Sequence, residues 1–292
     1  MKRIFFASLL LLSLAGCSSP SSDRKVMARP VPERADDFVF ENNLICGRIY
    51  GQGLEGETIS PGIDIWVKLP GKLVADEWYS HISETGSEDY YHHDHGGKDC
   101  YKVSCSLGGG ASIPLIDGIP AYPPTNYRSF EILKDSPEET VFILHYPEWE
   151  KDGIKMALDK KIAVVPDTYF FKVEDKWSFV GTDSLTIAAG INRHVSQNTV
   201  VEECFGKDRY ALWEQASDQE HEPEDGLIGV AVILPNADST ALVDGGSHGA
   251  CIKKISSGET LTYYFGNCWS KGEIKTAAQW FDKVNLIKFE DK

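Results

Sequence analysis

Lys161-Ile162-Ala163-Val164-Val165-Pro166-Asp167-Thr168-Tyr169-Phe170-Phe171-Lys172-Val173 is a β-hairpin written in residue types. Residues 161–165 are mostly β-branched or small and apolar. Pro166-Asp167 supplies a turn, because proline fixes φ and aspartate hydrogen-bonds its own backbone. In the second arm Tyr169, Phe171 and Val173 share one face, and Lys172 points to the other. The same pattern recurs at 44–50, 62–69, 140–146, 185–191, 227–234 and 260–265, and Asp152-Gly153 and Ser257-Gly258 are further turn signals. Many short strands without alternating helices predict an all-β sandwich or barrel. One helix is expected near the end. Thr276 and Gln279 have capping-box spacing, and Ala277, Trp280, Phe281 and Val284 recur at helical intervals, so the helix should pack on the outside of the sheets.

The chain opens with a different signal. Lys2 and Arg3 precede an apolar run over 4–14, followed by Ala15-Gly16 and Cys17. The run is too short to span a bilayer stably and reads as a secretory signal peptide over 1–16. Leu14-Ala15-Gly16-Cys17 resembles a bacterial lipobox, so Cys17 is expected to carry lipid and residues 17–28 to form a solvated tether. The expected location is the cell envelope, on the periplasmic face, with a single domain over 29–292. Cleavage would remove Lys2 and Arg3 but no acid, taking the net charge from −15 to −17. Such a surface repels nucleic acid, and an anionic ligand would need a local basic pocket. Beyond Cys17, six cysteines with no CxxC pair allow 15 pairings, and buried free thiols fit equally well.

The densest polar stretch is Glu88-Asp89-Tyr90-Tyr91-His92-His93-Asp94-His95-Gly96-Gly97. Clustered histidines titrate near neutrality and suit proton transfer or metal binding; a solvated loop is the plainer alternative. His92 and Asp94 are the candidate ligands for a divalent metal, the one cofactor the sequence admits. On an extended chain His93 and His95 face the other way. Gly96-Gly97 and Gly108-Gly109-Gly110 would let backbone approach a ligand closely. Arg48 lies in an apolar strand beside Tyr50, and wants a carboxylate partner from a ligand or from Asp64 or Glu41. Trp66, Trp78, Trp213 and Trp269 could stack on sugar rings, although most tryptophans simply pack. His194 follows Arg193 at the end of the 185–191 strand.

Several spaced motifs together carry a resemblance. Asp36-Asp37-Phe38-Val39-Phe40-Glu41-Asn42-Asn43, Arg48-Ile49-Tyr50-Gly51, Gly62-Ile63-Asp64-Ile65-Trp66-Val67-Lys68, Tyr91-His92-His93-Asp94-His95-Gly96, Asp99-Cys100-Tyr101-Lys102-Val103 and Cys268-Trp269-Ser270-Lys271 are similar to the domain of unknown function 4861 family of Bacteroidetes. The resemblance implies a galactose-mutarotase-like supersandwich and a place in polysaccharide breakdown. One relative in an ulvan locus is an oligosaccharide dehydratase. Two features depart from the family pattern: many relatives carry an extra β-sandwich before this region, and 95–99 is one residue short.

The expected activity is therefore a carbon–oxygen lyase, a dehydratase acting on the terminal uronic acid of oligosaccharides. Elimination across C4–C5 needs the carboxylate neutralised, a base for the C5 proton and an acid for the departing oxygen. The sequence nominates His95 as base, Tyr101 as acid and Asp94 as orienting residue. Arg48, Tyr50, Trp66, Lys102, Arg193, His194 and Trp269 are nominated to bind substrate. A glycoside hydrolase using carboxylates such as Asp64, Asp94 or Glu214, an epimerase, and a non-catalytic oligosaccharide-binding lipoprotein remain alternatives.

Overall fold

A computed structural model describes residues 24–194, 201–215 and 223–288. In chain order the strands begin with β1 (Val26–Val31), β2 (Asp37–Asn42), β3 (Cys46–Ile49), β4 (Asp64–Lys68), β5 (Gly97–Asp99), β6 (Ala111–Ile116) and β7 (Ile119–Pro120). They continue through β8 (Ser129–Asp135), β9 (Thr140–Lys151), β10 (Ile154–Val164), β11 (Phe170–Val180), β12 (Leu185–Asn192) and β13 (Val201–Phe205). The last are β14 (Arg209–Gln215), β15 (Leu227–Ile233), β16 (Ser239–Val243), β17 (His248–Ile255) and β18 (Thr260–Trp269). Two α-helices, α1 (Ala75–Thr85) and α2 (Ala277–Leu286), complete the described fold. The expected signal peptide, Cys17 and most of the expected tether lie outside the described residues. Val26–Ala28 are already strand, so the folded part starts three residues earlier than the expected boundary at 29.

The strands form three antiparallel sheets: β1-β2-β3-β4-β5, β13-β14-β15-β18-β11-β10-β9-β8, and β16-β17-β12-β6-β7. The hairpin predicted over 161–173 is β10–β11, with Ile162 opposite Val173 and Asp167 in the left-handed region at φ 60°. One face of the eight-stranded sheet is apolar and covered by both smaller sheets, which makes the molecule a β-sandwich. Phe38 of β2 meets Phe142 of β9 at 4.4 Å between ring centroids, and Phe40 meets Phe171 of β11 at 5.1 Å. Towards the other end of the same face, Ser112 of β6 donates to Asp175 of β11 at 2.5 Å. Asp175 also accepts Lys160 at 2.8 Å, and both side chains are fully buried.

α2 forms as expected. The Thr276 hydroxyl accepts the Gln279 amide at 3.3 Å, and Trp280 stacks on Phe170 at 5.6 Å. α1 is an element that strand-based reading passes over. Ala75, Trp78, Tyr79 and Ile82 form its buried stripe, Asp76 and Glu77 favour its first turn, and Gly86 ends it at φ 70°. Its N-terminus is capped from a distance. The buried Glu41 carboxylate accepts the Val74 and Ala75 amides at 2.8 Å and the Lys68 ammonium at 2.6 Å. α1 therefore seals a second, smaller core on the outer face of the first sheet.

Candidate functional site

Three sheets end near one another around His194. Tyr101 and Lys102 follow β5, His194 follows β12, Glu214 lies in β14 and His248 begins β17. Strand pairing brings in His248, which sits opposite Asn192. The His194 ring is buried. Its Nδ1 lies 2.5 Å from Glu214 Oε1, and its Nε2 lies 2.7 Å from the Lys102 carbonyl oxygen. Nδ1–H donates to Glu214, which fixes the plane of the imidazole, and Nε2 also lies 3.0 Å from the Asn192 side-chain amide, a donor. The Tyr101 ring meets His194 edge-on at 4.9 Å, and its hydroxyl donates to the Gly108 carbonyl at 3.1 Å. Burial first, and the Glu214 charge second, push the Tyr101 phenol well above its ordinary range, so it is a neutral proton donor at physiological pH.

His248 has the opposite character. Its Nε2 accepts the Leu107 amide at 3.2 Å, which places the proton on Nδ1, 2.9 Å from the Ser247 hydroxyl. Burial lowers its pKa to about 4, and nearby His194 works in the same direction, so the ring is neutral. The site thus holds one imidazole paired with a carboxylate, one neutral imidazole and one neutral phenol.

The other nominated residues are placed differently. His95 is exposed and stacks on Tyr90 at 3.9 Å, with His81 on the opposite ring face at 3.6 Å. Its ring neighbour is Tyr90, whereas that of Tyr101 is His194, so the nominated base and acid do not form a pair. His93 is also exposed, 3.3 Å from Asp89. Asp94 accepts Lys271 at 2.7 Å and the Gly96 amide at 2.9 Å. Partial burial raises its pKa, but these bonds outweigh burial and hold it below the usual carboxylate value. His92 is half-buried against Tyr91. Among the described residues no three His, Cys, Asp or Glu side chains are placed to hold a metal ion, so His92 and Asp94 lack the partners a metal site needs.

Arg48 is buried and engaged internally. It bonds Asp64 through Nε at 3.0 Å and Asp99 through Nη2 at 2.8 Å, with Tyr50 donating to Asp64 at 3.2 Å. Of the two internal partners expected for it, Asp64 is the one found, while Glu41 serves Lys68 and α1. Arg193 is held by Glu203 in a two-pronged pair at 2.6 and 2.9 Å, by the Tyr210 hydroxyl and by the Gly246 carbonyl. The Arg193 guanidinium is filled by protein acceptors, and the Arg48 guanidinium, although Nη1 has no partner, is closed off by burial. Trp66 is fully buried between Tyr91, Trp78 and Tyr79 under α1, and Trp269 is buried with its indole N–H on the Asp225 carbonyl at 2.6 Å. Both pack internally and offer no face to a sugar ring. Gly108 and Gly249 serve packing: a side chain on Gly108 would strike the Ile63 carbonyl at 2.4 Å, and one on Gly249 the Tyr210 ring at 2.0 Å.

Cys46, Cys251 and Cys268 are buried free thiols, and Cys105 is an exposed one. A cleft of about 880 Å³ lies elsewhere, between α2 and residues 167–170; it is lined by Asp167, Glu273 and Lys283 and holds no histidine.

The fold and this buried imidazole–carboxylate site define an all-β sandwich protein with acid–base residues where its sheets converge. The chain belongs to the family described as "Domain of unknown function (DUF4861)", whose model matches residues 17–288. It is 28% identical over 270 residues to "Uncharacterized protein P7" of Formosa agariphila, an alignment covering 87% of this chain and 64% of that protein. The chain thus spans less than two thirds of that relative's length. Among solved structures it is similar to a 4-alpha-glucanotransferase from Thermococcus litoralis, at 11% identity and a TM-score of 0.32, over 84% of this chain and 40% of the other.

Proposed function

We propose that this protein is a carbohydrate-active carbon–oxygen lyase, a dehydratase that removes water from the terminal uronic acid of an oligosaccharide. The observation that carries the reading is the His194–Glu214 pair, 2.5 Å apart and packed against the neutral phenol of Tyr101. Elimination needs one group to take the C5 proton and another to protonate the oxygen leaving C4. In this reading His194 takes the proton. The ring acts as the neutral tautomer: Nδ1–H stays on Glu214, and the unprotonated Nε2, 3.0 Å from the Asn192 amide, accepts the C5 proton. Tyr101 is suited to the second role, because its raised pKa keeps the phenolic proton available. His95, nominated as base, has no part in this arrangement.

The family supports a carbohydrate substrate through the resemblance to an ulvan-locus dehydratase. The reading includes lipid on Cys17 and attachment at the periplasmic face of the envelope. No helix of the described residues is long and apolar enough to cross a membrane. Mass spectrometry of uronate-terminated oligosaccharides incubated with the purified protein tests the activity. Loss of one water from an intact chain is expected; chain cleavage with addition of water would replace the reading by hydrolysis.

A further inference from the structure

We propose that the Lys102 ammonium recognises the substrate carboxylate and sets the preference of the His194 site for acidic over neutral sugars. The inference rests on the function proposed above and names the group which that reading leaves open. An acidic substrate approaching a chain of net charge −15 needs a local cation. The cations around the site are engaged one by one. Arg193 holds Glu203, Arg48 holds Asp64 and Asp99, Lys98 holds Asp225 at 2.9 Å, and Lys271 holds Asp94. Among the described residues bordering His194, Lys102 is the cation with an exposed side chain and no carboxylate bound to it.

Its backbone makes the assignment specific. The Lys102 carbonyl lies 2.7 Å from His194 Nε2 and accepts the Asn192 amide at 3.3 Å. Carbonyl and ammonium belong to one residue, so the exposed ammonium is tethered within a side chain's length of the nitrogen that is to meet the C5 proton. That proton is adjacent to the carboxylate. A group neutralising the carboxylate must therefore lie within a side chain's length of the base; Lys102 is in that range through its backbone contact, whereas Arg193, next to His194 in sequence, is held by Glu203. A flexible ammonium acts as a point charge, without the planar match of a guanidinium.

The test is equilibrium binding of a glucuronate-terminated oligosaccharide and of its carboxyl-reduced, glucose-terminated counterpart. Wild type is compared with Lys102→Met and Lys102→Arg. Wild type is expected to prefer the acid by about tenfold or more, the range of one charged hydrogen bond. Lys102→Met should weaken the acid to the level of the neutral sugar and leave the neutral sugar unchanged, which also reports an intact fold. Lys102→Arg should restore part of the preference, and rising salt should erode it. A Lys102→Met variant with the full wild-type preference overturns the assignment and leaves the dehydratase reading standing. A wild-type protein that binds both sugars equally, or neither, overturns both.

Discussion

Replacing Lys160 by methionine tests a buried ion pair inside the large sheet whose carboxylate also reaches Ser112 of the neighbouring sheet. Lys160 and Asp175 sit opposite each other on β10 and β11, both at 0% exposure. Asp175 accepts Lys160 at 2.8 Å, Ser112 at 2.5 Å and Tyr263 at 3.1 Å, and Ser112 accepts the Trp177 indole N–H at 3.0 Å. Methionine matches the lysine stem but leaves the carboxylate without its counter-charge in a dry core. Removing one partner of a buried pair costs about 3–5 kcal/mol. At roughly 2–3 °C per kcal/mol for a domain of this size, Tm should fall by about 6–15 °C. The assay is thermal unfolding followed by circular dichroism, with urea unfolding as a check. Adding Asp175→Asn to Lys160→Met should recover much of the loss, because the remaining oxygen still accepts from Ser112 or Tyr263 and no charge is stranded. A single variant within about 1 kcal/mol of wild type, the range of an exposed ion pair, would refute the reasoning.

Other outcomes follow from particular contacts. Glu41→Ala should raise hydrogen exchange over Ala75–Thr85, because that carboxylate caps α1, and should lower global stability as well by stranding the buried Lys68; unchanged protection over the helix would remove the capping role. Trp280→Ala should cost about 3–5 kcal/mol in urea unfolding, as a fully buried indole stacked on Phe170 is lost. His248 should make the protein acid-sensitive. Its folded pKa of about 4 lies below the unfolded value, so the unfolded chain takes up the proton first as pH falls. Its stabilising contribution is complete above about pH 6.5 and declines towards pH 4. His248→Gln should flatten that part of the stability profile, and an equally steep profile in the variant would assign the effect to another group.

The strand content was legible because period-2 alternation and turn residues are local properties. The 161–173 hairpin, the Asp152-Gly153 turn and the capped helix at 277–286 all appear where these rules place them. α1 was legible in principle through Ala75, Trp78, Tyr79 and Ile82, but its cap comes from Glu41, 33 residues away from Val74 in sequence, so the usual N-cap signal is absent. The candidate site was less legible. Density of histidines pointed to 92–95, yet His95 is a surface residue against Tyr90, while His194 and His248 are isolated in sequence and meet through the pairing of β12 with β17. Tyr101, Lys102 and His194 were named from sequence. Asp64 was named as one of two internal partners for Arg48, whereas the engagement of Arg193 by Glu203 depends on which strands lie side by side, which no local pattern encodes.

The most direct test of the central claim is product mass from a uronate-terminated oligosaccharide, measured in parallel for wild type, His194→Gln and His95→Ala. The account predicts loss of one water with wild type and with His95→Ala, and an intact substrate with a folded His194→Gln. Water loss that persists in His194→Gln but vanishes in His95→Ala would contradict it and return the chemistry to the exposed histidine loop.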